Sequence, residues 1–167
     1  MNDGKKFNSN LLFLDFDGVC NSWSCGSHVT HKPDEYGSDP SIVRRIGEIC
    51  SRCNARIILS SNWRRFPADG VWRYRERDYV NPLPSLYRQL GHLIDGTLTT
   101  ERHLSKCEAL ELWFEYNPSF DCRYAIVDDN PKEGFQSSGF SGSFWLTNPE
   151  FGLTEKIKDE IVKHLGE

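Results

Sequence analysis

The chain has 167 residues and a mass of 19.3 kDa, which is the usual size of one domain. Its hydrophobic fraction of 38% is typical of a globular protein, and its net charge of −4 argues against coating nucleic acid by bulk positive charge. No apolar run approaches the roughly 20 residues that span a bilayer, and no secretion signal is recognisable. We therefore expect a cytoplasmic protein with a flexible N-terminus, residues 1–10, and a single domain, residues 11–167.

Apolar runs and amphipathic stretches alternate along the chain. This alternation favours an α/β fold, in which a parallel sheet carries helices on both faces. Between the elements, two segments rich in polar residues or in mixed aromatic and basic residues are predicted to be irregular, at 20–38 and 61–82. The predicted strands are residues 11–16, 56–60, 124–127 and 144–146, and the predicted helices are residues 40–53, 84–90, 105–116 and 154–165.

Polar side chains stand where the predicted strands end. Asp15 and Asp17 follow the first strand, Ser60 ends the second, and Asp128 and Asp129 end the third. The carboxyl ends of parallel strands meet at one edge of a sheet, so we expect these groups in one crevice. Clustered carboxylates repel one another, and a divalent cation such as Mg²⁺ relieves that repulsion.

The same set suits phosphoryl transfer. A carboxylate can attack phosphorus, and a second can serve as general acid and base. The hydroxyl of Ser60 and the ammonium of Lys106, at the start of a predicted helix, would contact the phosphoryl oxygens. A lone serine or lysine is usually an ordinary surface residue, and paired acids are often helix caps. The prediction therefore depends on all four features occurring together: the aspartates after the first strand, Ser60, Lys106 and the aspartates that end the third strand.

These residues resemble the haloacid dehalogenase-like (HAD) phosphohydrolase superfamily. Residues 11–19, Leu-Leu-Phe-Leu-Asp-Phe-Asp-Gly-Val, resemble its first signature, an apolar strand followed by Asp-x-Asp-Gly. The other signatures are matched, in the family's order, by residues 57–60, by Lys106 and by residues 125–129. The resemblance implies a three-layer Rossmann-like HAD core without a full cap domain.

A narrower resemblance is to the HAD domain of Swiss-army-knife RNA repair proteins. It rests on residues 59–64 (Leu-Ser-Ser-Asn-Trp-Arg), on the helix that follows Lys106, and on Gly152-Leu153-Thr154. The subgroup usually has Arg-Gly where this chain has Lys106-Cys107, and lysine is common in the wider superfamily.

The resemblance also implies roles for individual residues. Asp15 would be the nucleophile and a metal ligand, and Asp17 the general acid and base, with its backbone carbonyl on Mg²⁺. Ser60 would hold the transferring phosphoryl group, with Ser61 as the alternative, and Lys106 would neutralise it. Asp128 is favoured over Asp129 as the direct metal ligand, and Asp129 would be a second ligand or its partner. Substrate contacts are expected from Gly18, Ser61, Asn62 and Arg64.

The intervals between the predicted strands are too short for a full cap domain, and the one from Ser61 to Ser105 is predicted to hold only a short helix. An open site suits a phosphate on a larger molecule, such as a nucleic-acid end. Residues 62–79 interleave aromatic residues with arginines and are a candidate surface for single-stranded nucleic acid. Two alternatives remain open: a small-molecule phosphatase with residues 20–38 as a lid, and a non-catalytic binding module.

Two weaker patterns have other interpretations. Cys20, Cys25, His28 and His31 are close enough in sequence to bind zinc, but their spacing matches no strong ligand pattern, so free thiols are favoured. Residues 95–99, Asp-Gly-Thr-Leu-Thr, resemble the tail of the first signature. Leu93 stands where the nucleophile would be, and this segment is predicted to be a turn.

Overall fold

The computed structural model describes residues 9–24, 37–66, 71–74, 77–118 and 123–166. A five-stranded parallel sheet, in the order β5-β2-β1-β6-β7, forms the centre of this part of the chain. A separate antiparallel hairpin, β3-β4, lies between β2 and β5 in sequence. The strands are β1 (Asn10–Leu14), β2 (Ala55–Leu59), β3 (Val71–Tyr74), β4 (Arg77–Val80), β5 (Ile94–Thr97), β6 (Tyr124–Asp128) and β7 (Phe144–Leu146).

Helices cover both faces of the sheet because successive side chains of a strand point to opposite sides. Leu12 and Leu14 of β1 belong to one buried cluster, which α1 (Pro40–Cys53) and α4 (Glu155–Gly166) complete. Leu11 and Phe13 belong to a second cluster, beneath α3 (Lys106–Tyr116). The predicted α/β fold with helices on both faces is confirmed. The helices are α1 (Pro40–Cys53), α2 (Leu83–Leu90), α3 (Lys106–Tyr116) and α4 (Glu155–Gly166).

The start of α3 is determined by local sequence. The hydroxyl of Ser105 accepts a hydrogen bond from the backbone N–H of Glu108 at 3.2 Å. The Glu108 carboxylate in turn accepts one from the backbone N–H of Ser105 at 2.7 Å, which completes a capping box. Lys106 is therefore the first residue of the helix, at the edge of the sheet where the strands end.

The predicted turn at residues 95–99 is wrong, because Ile94–Thr97 forms the edge strand β5. Asp95 and Gly96, in the middle of this segment, have low strand propensity, so the local sequence favoured a turn. Pairing with β2 supplies the missing stability, and Arg56 of β2 binds the Asp95 carboxylate at 2.6 Å. This strand depends on a tertiary contact.

The prediction that residues 61–82 are irregular also needs correction. Asn62–Arg65 forms a 3-10 turn, and β3 pairs with β4 so that Val71 lies opposite Val80. The interval from Ser61 to Ser105 therefore holds a hairpin and a strand as well as α2. These small elements still do not amount to a cap domain of their own.

The cysteines in the described part of the chain are free and buried: Cys20, Cys50, Cys53 and Cys107. The Cys20 thiol donates a hydrogen bond to the backbone carbonyl of Asp15 at 3.2 Å, so this residue packs beneath the first strand end. Cys25, His28 and His31 lie outside the described residues, as does the predicted flexible segment up to residue 8. Within the described ranges, no helix is long and apolar enough to cross a membrane.

Candidate active site

Three carboxylates converge where β1 and β6 end. Asp15 directly follows β1, Asp128 ends β6, and Asp129 is the next residue. One oxygen atom from each of the three lies within 4.8 Å of the others. Because β1 and β6 are paired neighbours, the sheet itself determines this proximity. Asp15 and Asp128 are buried, and Asp129 is partly buried.

Lys106 supplies the positive charge within this cluster. Its ammonium lies 2.8 Å from Asp15 Oδ2 and 2.7 Å from Asp128 Oδ2, and the residue is only 3% exposed. Burial by itself would lower the pKa of Lys106, but the two carboxylates outweigh it and raise that pKa above its ordinary value. Lys106 is therefore a permanent cation shared by two acids.

One cation does not balance three carboxylates. Burial, followed by repulsion from Asp15, raises the pKa of Asp128 above its ordinary range despite the contact with Lys106. The same two causes, in the same order, raise the pKa of Asp129 to about 6. An all-oxygen donor set with surplus negative charge fits Mg²⁺. Asp15, Asp128 and Asp129 are the residues that would hold it.

Gly18 packs directly against this cluster. Its φ of +66° is a left-handed conformation, and a Cβ at this position would lie 2.5 Å from Asp129 Oδ2. Its backbone N–H donates to Asn21 Oδ1 at 2.8 Å, and its carbonyl accepts from Thr147 Oγ1 at 2.8 Å. The predicted substrate contact at Gly18 stays untested. Its evident role is to leave room for Asp129.

Asp17 is not one of the three clustered carboxylates, although its charge contributes to the raised pKa of Asp129. Its Oδ2 accepts a hydrogen bond from Trp63 Nε1 at 2.7 Å, and its Oδ1 accepts one from Asn21 Nδ2 at 3.3 Å. Trp63 stands in the 3-10 turn after β2 and is 7% exposed. The orientation of the Asp17 carboxylate therefore depends on the end of a neighbouring strand.

The two serines after β2 are used differently. The Ser61 hydroxyl caps the 3-10 turn by accepting from the backbone N–H of Trp63 at 3.3 Å. The Ser60 hydroxyl is buried and has no hydrogen-bond partner within the described residues. A buried hydroxyl without a partner costs free energy unless a ligand or water satisfies it. This difference favours Ser60 over Ser61 as the phosphoryl contact.

Arg64 and Asn62, the other predicted substrate contacts, have different surroundings. Arg64 is 9% exposed and donates to the carbonyls of Ser61 at 2.8 Å and Thr99 at 2.9 Å. Burial lowers the pKa of its guanidinium to about 10. Its Nη2 remains buried without a partner in the part of the chain that the structure describes. Asn62 is exposed at the start of the turn.

The predicted nucleic-acid surface, residues 62–79, is described only in part. Trp63 and Phe66 pack against each other with ring centroids 5.9 Å apart, and Arg102 covers the Phe66 ring. These two aromatic residues are therefore part of the packing around the site. The side chains of residues 71–79 lie outside what the structure describes, so the prediction for the arginines there stays open.

Several residues at the site are not indicated by any sequence pattern. Glu133 accepts a hydrogen bond from the backbone N–H of Lys106 at 2.9 Å and so anchors the start of α3. The residues just after β1 are bound by three further side chains. Gly18 is hydrogen-bonded to Asn21 and Thr147, and Asp17 to the indole of Trp63. Their partners are distant in sequence or lie in an irregular loop, so no periodic pattern indicates these contacts.

The raised pKa of Asp129 predicts a pH dependence of stability. Between pH 4 and pH 6 the folded protein, without Mg²⁺, binds more protons at Asp129 than the unfolded chain does, so its stability falls as pH rises. In EDTA we expect the wild type to lose about 1 kcal/mol more than Asp129→Asn between pH 4.5 and pH 7, after allowance for solvent screening. Urea unfolding at both pH values measures this difference. Identical pH dependence in the two proteins would contradict it.

The fold and the site agree with one known family. Residues 11–157 match the family described as the HAD domain in Swiss Army Knife RNA repair proteins. Neither a curated protein nor a solved structure matches the chain. The match covers most of the sequence and includes every predicted catalytic and metal-binding residue. The chain therefore belongs to the family of HAD domains found in Swiss Army Knife RNA repair proteins.

Proposed function

We propose that this protein is a Mg²⁺-dependent phosphomonoester hydrolase that acts through an aspartyl-phosphate on Asp15. The observation that carries the proposal is the convergence of Asp15, Asp128 and Asp129, the first two of which bind the buried ammonium of Lys106. Membership of a HAD family supports a phosphatase-like chemistry. Bound Mg²⁺ would neutralise surplus negative charge and polarise the phosphoryl group.

Each residue of the candidate site has its own role in the proposed hydrolysis. A carboxylate oxygen of Asp15 attacks phosphorus, and the bond from phosphorus to the leaving oxygen breaks. Asp17, oriented by Trp63, donates a proton to that oxygen. Asp17 next takes a proton from water, which attacks the phosphorus and releases inorganic phosphate and free Asp15. The Ser60 hydroxyl and Lys106 contact the phosphoryl oxygens.

The proposed substrate is the phosphorylated end of a nucleic acid. The segment between β1 and α1, residues 15–39, and the hairpin between β2 and β5 are both smaller than an independent domain. A site without a full cap suits a phosphate at the end of a long molecule. The description of the family as part of RNA repair proteins supports the same class of substrate.

Phosphate release from a panel of substrates tests the proposal. The panel contains 5′- and 3′-phosphorylated oligonucleotides, free nucleotides, ribose 5-phosphate and an aryl phosphate, each with Mg²⁺ and with EDTA. We expect release only with Mg²⁺, and a kcat/KM at least about tenfold higher for an oligonucleotide than for the free nucleotide, because a chain adds contacts beyond the phosphate. Preference for free nucleotides or ribose 5-phosphate would instead establish the small-molecule alternative. No release from any substrate would contradict the hydrolase.

A further inference from the structure

A cavity of about 180 Å³ lies beside the candidate active site. It is bounded by the 3-10 turn after β2, by the start of α2 and by the end of β5. Much of its wall consists of flat or rigid apolar groups, and polar atoms are few. The wall includes the aromatic side chains of Trp63, Phe66 and Tyr87, together with Thr97.

Trp63 joins the cavity to the site. The same side chain that lines the cavity donates its indole N–H to the Asp17 carboxylate at 2.7 Å. Asp17 is the group that would protonate the leaving oxygen of the substrate. The Trp63 side chain is therefore a wall that the cavity shares with the candidate site.

The sheet gives the distance that the substrate has to cover. Thr97, which ends β5, lies two strands from β1, and Asp15 follows β1. Neighbouring strands are about 4.8 Å apart, so the cavity and Asp15 are separated by roughly 10 Å. A ring bonded directly to the phosphate oxygen, as in an aryl phosphate, does not span this distance. A ring attached through a sugar does.

The size and the wall of the cavity indicate which ring it takes. A cavity of about 150 Å³ is known to hold benzene, so 180 Å³ accommodates a single six-membered ring. Trp63, Phe66 and Tyr87 offer aromatic surfaces for stacking.

We propose that this cavity binds the pyrimidine base of the nucleotide whose phosphate lies at Asp15. The inference rests on the proposed hydrolase function and adds a base-specific subsite to it. The protein would then prefer a phosphorylated end that carries cytosine or uracil over one without a base or with a purine.

The variant Tyr87→Ala tests the subsite, because Tyr87 lines the cavity and is 41% exposed, so its loss spares the core. The measured quantity is the ratio of kcat/KM for cytidine 5′-monophosphate to that for ribose 5-phosphate, repeated with oligonucleotides whose phosphorylated end is cytidine or abasic. We expect both ratios to fall roughly tenfold, mainly through KM, as is typical for removal of one stacking residue. Tyr87→Phe should retain the wild-type ratios.

The matched control is Tyr116→Ala. Tyr116 is a 77% exposed tyrosine at the last residue of α3, which begins at the site and ends about 15 Å away. Its replacement should leave both ratios unchanged. Ratios that do not move in Tyr87→Ala, or that move equally in both variants, would overturn the inference, as would a preference of the wild type for purine nucleotides.

A binding measurement separates this inference from the proposed function. Calorimetric titration of the wild type with cytidine 5′-monophosphate and with ribose 5-phosphate requires no turnover. Tighter binding of the cytidine compound, lost roughly tenfold in Tyr87→Ala, supports the subsite even if no phosphate is released. Equal affinity for the two compounds overturns the subsite even if the protein proves to be a phosphatase.

Discussion

Replacing Asp15 with asparagine is expected to lower Mg²⁺-dependent phosphate release by at least about 10⁴-fold. Asparagine has nearly the same size, but its uncharged amide oxygen cannot form the acyl phosphate that the proposed reaction needs. Initial rates of phosphate release measure the loss. Because asparagine also removes one of the crowded negative charges, we expect the variant to stay folded, which circular dichroism and urea unfolding check.

The control for this variant is Asp159→Asn, since Asp159 is an exposed carboxylate on α4 whose side chain is 67% accessible. It should retain wild-type rates. After an acid quench, the wild type should also carry hydroxylamine-sensitive phosphate on the peptide that contains Asp15. Retention of more than about a tenth of the wild-type rate by Asp15→Asn would contradict the role of Asp15 as the nucleophile.

Replacing Lys106 with methionine is expected to lower the free energy of unfolding by about 3 kcal/mol in EDTA. Methionine keeps the length of the side chain but leaves Asp15 and Asp128 buried beside each other without their shared cation. Urea unfolding measures this loss, and Mg²⁺ should restore part of it by supplying positive charge. The rate of phosphate release should also fall about 10²- to 10³-fold, because the phosphoryl oxygens lose a charged partner.

Lys156→Met is the matched control, because the Lys156 side chain is 86% exposed and its carboxylate partner lies 4.0 Å away. We expect it to change stability by less than about 0.5 kcal/mol. Adding Asp128→Asn to Lys106→Met should recover part of the lost stability, since it removes one of the unpaired charges. Equal stability of the two lysine variants would show that the buried ion pairs do not hold the site together.

Local sequence was sufficient to predict those helices that have a capping residue and a regular apolar spacing of their own. Asp39 caps α1, and the buried face of that helix, Ile42, Ile46 and Ile49, follows from apolar spacing alone. The capping box at Ser105 likewise predicts that Lys106 opens a helix. Boundaries differ by one or two residues, as in β1, because a strand end depends on its pairing partners.

Local sequence did not predict the contacts between residues that are far apart in the chain. Trp63 was predicted as part of a nucleic-acid surface, yet its indole binds Asp17, 46 residues away in the chain. Ser60 and Ser61 are the same residue type at adjacent positions, and only the turn that follows them distinguishes a capping hydroxyl from one without a partner. Their different roles are consequences of three-dimensional packing.

The fold class and the positions of the candidate site residues at strand and helix ends could be predicted without a structure. Apolar periodicity, helix caps and the chain order of Asp15, Ser60, Lys106 and Asp128 are all properties of the sequence. Three-dimensional packing was needed to show that Ile94–Thr97 is a strand and that Lys106 pairs with two carboxylates. The same is true of the ring-sized cavity beside Trp63. Strand pairing, charge balance and cavity shape each depend on residues far apart in the chain, so no local pattern predicts them.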